Sequence, residues 1–282
     1  MIKRILLPLD KSDYTDAAIH FAIKMAKAHD AEITGLVVID LPGIKDSIGP
    51  LPPGVSFYAK ELEQSRIERN FQHVDELLEK FKQACANAHV RYRTGMDQGS
   101  PSKTITTKSL YYDVLIMGIQ TYYEFDLEDK PGDSFADILG ETITPVYAIP
   151  KDYFPPHDPN ERRKALFAFD GSMPAARAMQ RFAQLANPIN TEIYLLISHD
   201  SKSEAEKILG HAEKYLKVHG VNNIEKIYTG ENIIRHISKN HLDWPDTIVL
   251  GAHSKKGIFD FMSGSLTRFL TEEGTKPLFI GQ

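Results

Sequence analysis

The feature that most constrains this 282-residue sequence is an internal repeat. The segment RILLPLDKS, which contains Asp10, matches KALFAFDGS, which contains Asp170, at an offset of 160 residues, and AEITGLVVID matches TEIYLLISHD at the same offset. YDVLIMG matches PDTIVLG at an offset of 133, and TPVYAI matches KPLFIG at an offset of 132. Because the matches keep the same order along the chain, they indicate that one unit has been duplicated.

A further match, RTG with YTG, pairs Gly95 with Gly230 at an offset of 135. The fall from 160 to 135 predicts about 25 additional residues in the first copy, after its second strand. They fall on LPGIKDSIGPLPPGVSFY, whose prolines and glycines predict a long loop that covers a site or only a surface.

Strand and helix patterns alternate within each copy. Short apolar runs rich in β-branched residues, such as residues 33–39 and 247–250, predict strands buried on both faces. Alternation of this kind predicts parallel strands joined by right-handed crossovers. The expected fold class is therefore α/β, with two tandem doubly wound domains, each a mostly parallel five-stranded sheet flanked by helices. The apolar stripes of the first helices comprise Ala18, Ile19, Ala22 and Ala26 in one copy and Ala178, Met179, Phe182 and Ala186 in the other.

The two units are separated by PKDYFPPHDPNERRK, whose prolines and charges favour an unpacked linker. We place the boundary near Asp158, which gives domains at residues 1–157 and 158–282.

Composition narrows the class of protein. A net charge of −5 argues against a nucleic-acid binder, and no apolar run is long enough to cross a membrane. The opening MIKRILLPLD predicts a buried strand rather than a signal peptide, because it lacks a small-residue cleavage site. The single cysteine, Cys85, lies on an apolar helical stripe and excludes an intramolecular disulfide. We expect a cytoplasmic protein whose partners are neither nucleic acids nor membranes.

Three segments of the second copy are expected at the carboxyl ends of its strands, where ligands bind in such sheets. They are FDGS around Asp170, the strand end at Ile197, and the loop GAHSKKGIFDFMSGSLTRFL at residues 251–270. Glycines in that loop allow close approach of a polyanion, and two hydroxyls open a helix at residues 266–271, which together favour a phosphate site. The alternative is that the glycines only mark turns and that Ser265 only caps the helix.

These motifs resemble those of a tandem universal stress protein. In the ATP-binding members of that family the loop reads G-x-x-G, nine residues, then G-[S/T]; Gly251, Gly264 and Ser265 match it, and Ser254 stands at the second glycine. The resemblance implies that Asp170 and the backbone of Ile197 contact adenosine, and that the loop contacts ribose and phosphates of ATP or another adenine nucleotide, with Mg²⁺ as an option. The candidate site residues are Asp170, Gly171, Ser172, Ile197, Gly251, His253, Ser254, Gly257, Gly264, Ser265, Leu266 and Thr267.

The first copy departs from this pattern. In GIQTYYEFDLEDKPGDSFADIL, Thr121 replaces the second glycine, Asp133 stands in the place of Ser265, and Phe135 in the place of Thr267. Carboxylates in the same loop repel a triphosphate, so we predict that the first copy does not bind ATP; they are Glu124, Asp126, Glu128 and Asp129.

Chemistry beyond binding has little support in the sequence. Asp170 has no paired acid or nucleophile at readable spacing, Ser172 serves either as a ligand contact or as an N-cap, and His253 is either functional or structural. No metal site is expected, because His199 and His211 share no ligand spacing with His253.

We therefore expect a non-catalytic, or at most very slowly hydrolysing, adenine-nucleotide-binding protein of the stress-response class. The alternatives are an interaction scaffold with two vestigial sites and a nucleotidyl- or sulfur-transferring ligase, although the SGGxDS and HxGH motifs of such ligases are missing from the sequence. The resemblance also implies pairing of the last strands of the copies, Val146–Ile149 and Leu278–Gly281, into an intramolecular pseudo-dimer, and it leaves a homodimer open.

Overall fold

The computed structural model describes residues 1–40, 56–121, 123, 134–154, 162–185, 190–252 and 265–282. The N-terminal half contains β1 Arg4–Pro8, α1 Tyr14–His29, β2 Glu32–Ile39, α2 Ser56–Asn87, β3 Arg91–Gln98, α3 Pro101–Ser109, β4 Val114–Gly118, α4 Ser134–Glu141 and β5 Val146–Ile149. The C-terminal half contains β6 Arg163–Ala168, α5 Met173–Leu185, β7 Thr191–Ser198, α6 Lys202–Val218, β8 Asn223–Thr229, α7 Ile233–Asn240, β9 Thr247–Gly251, α8 Ser265–Glu273 and β10 Leu278–Gly281.

The ten strands form one sheet in the order β3-β2-β1-β4-β5-β10-β9-β6-β7-β8. All strands within a half are parallel, and each half has its first strand at the centre, as a doubly wound fold requires. The predicted α/β class is confirmed. The halves meet where β5 and β10 pair antiparallel, with Phe279 opposite Tyr147. The expected pairing of the last strands is therefore present, and it joins the two five-stranded units into one continuous sheet.

The hydrogen-bond register reproduces the repeat seen in the sequence. In the N-terminal half Arg4 lies opposite Glu32, and in the C-terminal half Lys164 lies opposite Glu192. Both members of the second pair follow those of the first by 160 residues, the offset read from the sequence. The duplication is therefore a repeat of backbone pairing as well as of side chains.

The third strands correct one part of that alignment. Arg91 pairs with Glu32, and Asn223 pairs with Glu192, so the third strands are related by an offset of 132 rather than 135. The first copy therefore has 28 additional residues, the difference between 160 and 132, instead of about 25.

The match between Gly95 and Gly230 was wrong for the same reason. Gly95 lies inside β3, whereas Gly230 follows the end of β8. A three-letter similarity carries less information than eight consecutive backbone pairings with the neighbouring strand, and these pairings determine which residues are equivalent.

The additional residues are only in part a loop. Helix α2 has 32 residues and its counterpart α6 has 17, so 15 of the additional residues extend the helix. Ser56, Phe57 and Tyr58, which we assigned to the loop, belong to α2. The reason is compositional, because neither proline nor glycine occurs between residues 56 and 87 to end the helix. The remaining predicted loop, residues 41–55, lies outside the described residues.

Two layers of helices cover the sheet. One face buries the predicted stripe of α1, in which Ala18, Ile19, Ala22 and Ala26 are at most 2% exposed, together with residues of α2, α5 and α6. The other face carries a second cluster from α3, α4, α7 and α8. The stripe of α5 is confirmed for Ala178, Met179 and Phe182, whereas Ala186 lies outside the described residues.

Aromatic side chains pack across the seam between the halves. The ring of Phe279 lies 4.9 Å from that of Tyr147 and 5.5 Å from that of Phe182 on α5, measured between ring centroids. Tyr147 in turn contacts Phe21 on α1 at 5.0 Å. These contacts join both halves into one shared core on this face of the sheet.

The linker is shorter and better packed at its ends than its composition predicted. Its last two residues, Arg163 and Lys164, belong to β6, and near its start Tyr153 packs against the core next to Phe21. The expectation of an unpacked segment is therefore wrong at both ends, because apolar side chains and strand pairing outweigh the neighbouring prolines. The proposed boundary at Asp158 lies outside the described residues and stays a prediction. None of the described helices is both long and apolar enough to cross a membrane.

Candidate functional site

Three parallel, neighbouring strands of the C-terminal half end at the same edge of the sheet. Asp170 lies two residues after the end of β6, Ile197 is the last residue but one of β7, and Gly251 is the last residue of β9. Because β6 pairs with β7 on one side and with β9 on the other, the order in which successive strands are added to the sheet changes sides at β6. The structure thus brings these three predicted residues to the crevice where doubly wound domains hold ligands.

Asp170 sits in a tight turn that leaves its carboxylate exposed. Its Oδ1 accepts a hydrogen bond from the backbone N–H of Ser172 at 2.9 Å. Gly171 between them has φ of +77°, and an added Cβ would lie 3.0 Å from the side chain of Ile208 on α6. Both features favour glycine here, because other residues rarely adopt this conformation and the side chain of Ile208 would have to shift to admit a Cβ. The turn therefore presents the Asp170 carboxylate toward solvent at the strand end.

Ser172 begins the helix that follows. Its Oγ accepts a hydrogen bond from the N–H of Ala175 at 3.4 Å, and its carbonyl oxygen accepts one from the N–H of Ala176 at 2.9 Å. These are the contacts of an N-cap residue. The structure supports the capping interpretation of Ser172, and this residue contributes to the site by holding the start of α5 next to Asp170.

Gly251 has a packing function that the sequence analysis missed. A Cβ at this position would overlap the backbone of Pro174 and Ala175 at the start of α5. The equivalent Gly118 of the N-terminal half has the same constraint, since its added Cβ would lie 2.6 Å from Cβ of Tyr14 at the start of α1. Both halves need this glycine to seat a helix on a strand, so its presence does not by itself indicate a phosphate site.

Ile197 can offer a ligand only its backbone. Its side chain is fully buried in the core, and it pairs with Tyr228 of β8. Next to it, Ser198 donates a hydrogen bond from its Oγ to the carbonyl oxygen of Glu231 at 2.8 Å, which ties the ends of β7 and β8 together. The backbone contact that the resemblance implies at Ile197 stays a prediction.

Helix α8 begins at Ser265, close to the predicted start at Leu266. Leu266 packs against the core, and the carbonyl oxygen of Thr267 accepts a hydrogen bond from Oγ1 of Thr271 at 2.8 Å. The predicted contacts at His253, Ser254, Gly257 and Gly264, and the side chain of Ser265, lie outside the described residues and stay predictions.

The first strand of the N-terminal half ends in a different environment. Asp10 is only 4% exposed, and its Oδ1 accepts hydrogen bonds from the hydroxyls of Ser12 and Thr15, both at 2.6 Å. At the offset of 160 the counterpart of Thr15 is Ala175, which has no hydroxyl. The sequence analysis missed Thr15 as a hydrogen-bond donor to Asp10, although the alignment of the two copies shows that this hydroxyl is missing from the second copy.

The loop after β4 adds bulk beside Asp10. Tyr123 is 2% exposed, and burial together with the negative charge of Asp10 raises the pKa of its hydroxyl well above the ordinary value. Thr121 and Phe135 are also buried. The loop carboxylates Glu124, Asp126, Glu128, Asp129 and Asp133 lie outside the described residues. In the N-terminal half, the described side chains between β4 and the start of α4 are therefore packed inside the protein, and Tyr123 lies near Asp10.

Groups that would support chemistry are scarce in the described ranges. They contain no group of three or more His, Cys, Asp or Glu side chains arranged to hold a metal ion. Cys85 is buried within α2, and burial raises the pKa of its thiol to about 12. Since the thiolate is the reactive form, this cysteine is held in an inert state.

The chain is similar to one protein family in sequence and to several solved structures in fold. Residues 1–122 match the model of the universal stress protein family. The fold matches the crystal structure of a universal stress protein from Archaeoglobus fulgidus DSM 4304, with a TM-score of 0.67 and 19% sequence identity over 99% of this chain and 96% of that chain. A functionally unknown protein from Pseudomonas aeruginosa PAO1 matches with a TM-score of 0.54 and 14% identity, covering 99% and 92% of the two chains.

No curated protein matches the chain in sequence. At these low identities the two structures show a shared fold over the whole chain, while the family match rests on β1 to β4 and the residues just after them. Through residues 1–122, which are less than half of the chain, the protein is similar to the universal stress protein family.

Proposed function

We propose that the C-terminal half binds an adenine nucleotide, ATP or AMP, at the carboxyl edge of β6, β7 and β9, and that the N-terminal half does not. Family and fold support the broader assignment to the stress-response proteins. In this proposal the bound nucleotide biases the conformation of the chain or its choice of partner.

The difference between Asp170 and Asp10 carries the proposal. The Asp170 carboxylate is exposed and accepts a single hydrogen bond among the described residues, from a backbone N–H of its own turn. It can still accept hydrogen bonds from ribose hydroxyls or from the amino group of a base. Asp10 is buried and already accepts two hydroxyl hydrogen bonds and the N–H of Ser12. A ligand would have to break these before it could reach Asp10.

Replacing those internal contacts is unfavourable. A hydrogen bond to a charged group contributes about 1.5–3 kcal/mol, and a buried carboxylate left without its donors loses more. Tyr123 adds a steric barrier, because its fully buried ring would have to leave the protein interior. Both effects favour an N-terminal half that is closed to ligand and a C-terminal half that is open.

We propose binding without efficient catalysis. Among the described residues at the C-terminal edge, no carboxylate or histidine is hydrogen-bonded to Asp170, so these residues form no acid–base pair there. A Mg²⁺ ion, if it accompanies ATP, would be held chiefly by phosphate oxygens and water, since the described residues contain no three-residue metal site.

Binding can be tested by calorimetric titration with ATP and AMP, together with analysis of the supernatant of denatured protein for carried-over nucleotide. The matched variants are Asp170→Asn and Asp10→Asn, which change the same atom at equivalent positions. We expect one site per chain, at least tenfold weaker binding in Asp170→Asn (about 1.4 kcal/mol), and unchanged affinity in Asp10→Asn. No carry-over and no binding up to millimolar nucleotide would instead favour the scaffold function.

A further inference from the structure

Two histidines face each other on the α7 side of the C-terminal half, away from the site above. His236 lies on α7 and His241 follows the last residue of that helix, with its N–H bonded to the carbonyl oxygen of Ile237 at 2.9 Å. Their ring centroids are 5.1 Å apart at an interplanar angle of 45°. This distance is short enough for strong repulsion if both rings carry a positive charge.

His241 belongs to the connecting segment, residues 241–246, which joins α7 to β9. Two rings of this segment rest on one side chain of the sheet, Tyr194 of β7. His241 meets the Tyr194 ring edge-on at 5.9 Å and 88°, and Trp244 stacks on it at 3.5 Å and 11°. The rings of the connecting segment thus rest on Tyr194, while its chain is also held by hydrogen bonds between Asp246 and the backbone of Lys164 and by one from Nζ of Lys276 to the carbonyl oxygen of Asp243 at 3.2 Å.

Burial affects both histidines of the pair. Nε2 of His236 is shielded from solvent and has no hydrogen-bond partner among the described residues. Burial, and then the charge of His236, lower the pKa of His241. The short distance between the rings and the lowered pKa of His241 therefore both disfavour a pair of charged rings.

The charged groups around the pair do not neutralise it. Glu225 of β8 acts on His241 in the opposite direction, but it is shared with the hydroxyl of Tyr194, to which it is hydrogen-bonded. On α8, which packs against α7, Arg268 and Glu272 pair with each other. The other charged groups on these elements are Lys164 of β6, whose Nζ lies 5.8 Å from the Trp244 ring, Arg163 of β6, Glu192 of β7, Lys226 of β8, Arg235 and Lys239 of α7, Glu273 of α8, and Asp243 and Asp246 before β9.

We propose that His236 and His241 form an acid-sensitive contact: when both are protonated, the connecting segment separates from Tyr194 while the rest of the fold stays intact. The sign follows from proton linkage. The released segment binds a proton at His241 near the ordinary histidine pKa of about 6.5, whereas the docked segment, in which the pKa of His241 is lowered, binds it only at lower pH. The contact is therefore complete above about pH 6.5 and is lost as the pH falls below it.

Trp244 reports on this contact directly, because it is the single tryptophan of the chain. We expect its fluorescence emission to shift to the red between pH 7 and pH 5, while the far-ultraviolet circular dichroism stays constant. Hydrogen-exchange protection factors of residues 241–244 should fall by about tenfold per pH unit for each additional proton bound by the released segment. The full-length protein is used throughout.

The decisive variant is His236→Gln with His241→Gln, which should abolish both changes. Either single variant removes one of the facing charges and should reduce the slope of the protection factors against pH. The test therefore holds even if the double variant does not fold. The matched control is His219→Gln, which should leave both changes as in the wild type. His219 also follows a helix and stacks on a tyrosine, Tyr215, at 4.3 Å. A flat Trp244 emission in the wild type from pH 8 to pH 5, or an unchanged transition in the variants, would overturn the proposal.

Discussion

The hydroxyl of Thr15 donates a hydrogen bond to the carboxylate of Asp10 at 2.6 Å, and no equivalent bond can form in the second copy because Ala175 stands at the position of Thr15. The side chain that donates this hydrogen bond to the buried Asp10 carboxylate is therefore missing beside Asp170, whose exposed carboxylate accepts a single hydrogen bond among the described residues. Asp10 and Asp170 match in the sequence, but they differ in the chemistry available to a ligand.

This relationship predicts that Ala175→Thr weakens nucleotide binding by the C-terminal half. The new hydroxyl would lie where Thr15 lies in the first copy and would compete with the ligand for Asp170. We expect a ten- to hundredfold higher Kd for ATP, in line with about 1.5–3 kcal/mol for a hydrogen bond to a charged group. The matched control is Ala176→Thr, one residue further along α5, which should leave the Kd unchanged; equal affinity of both variants would contradict the assignment.

The loop before α8 provides a second prediction. Gly264→Val with Ser265→Asp introduces the type of charge that the first copy carries at Asp133. We expect loss of ATP binding with an unchanged melting temperature, because the substitutions affect an anion site at a helix N-terminus and leave the core intact. Calorimetric titration and thermal denaturation measure the two quantities. Retained affinity would show that the loop does not hold phosphates.

The third prediction concerns packing at the strand ends. Gly251→Ala places a methyl group against the backbone of Pro174, so we expect a loss of about 1–3 kcal/mol in the free energy of unfolding. Gly118→Ala should behave similarly because of its contact with Tyr14. Gly210→Ala in α6 is the control: its Cβ meets open space, and alanine should stabilise the helix by about 1 kcal/mol. Urea denaturation decides between these outcomes.

The seam between the halves gives the fourth prediction. Phe279 is fully buried and contacts both Tyr147 and Phe182, so Phe279→Ala should cost about 3–5 kcal/mol. Because the core is shared, we expect the N-terminal half to be destabilised together with the C-terminal half, as measured by hydrogen exchange in both. Phe154→Ala, at a 59% exposed position, should change stability by less than about 0.5 kcal/mol. Loss of protection confined to residues 162–282 would contradict a shared core.

A fifth prediction links Cys85 to alkaline pH. Burial raises the pKa of its thiol to about 12 in the folded protein, from an ordinary value of 9.0. The folded state therefore holds this proton more tightly than the unfolded state, and its contribution to stability is present below pH 9 and lost as the pH rises through 9 toward 12. Cys85→Ala should remove this part of the pH dependence in urea denaturation. The native thiol should also resist alkylation at pH 8 until the protein unfolds.

Periodicity was sufficient for the strands and helices, because a buried face must repeat every two residues in a strand and every 3.6 in a helix. The last strands, Val146–Ile149 and Leu278–Gly281, were predicted with their observed bounds. The match of Gly95 with Gly230 failed because three letters of similarity do not determine backbone pairing, and the long loop was overestimated because α2 continues wherever no proline or glycine ends it.

By itself, the sequence determined that one α/β unit occurs twice and that its strand ends carry the candidate ligand groups, since apolar periodicity and residue identity are local properties. Only the tertiary structure decided that the halves share one sheet across β5 and β10, that Gly251 is needed to seat α5, and that Asp10 is buried among hydroxyl donors while Asp170 is exposed. These outcomes depend on which residues of distant segments come into contact, and on how much space and how many hydrogen-bond partners remain once the sheet has formed.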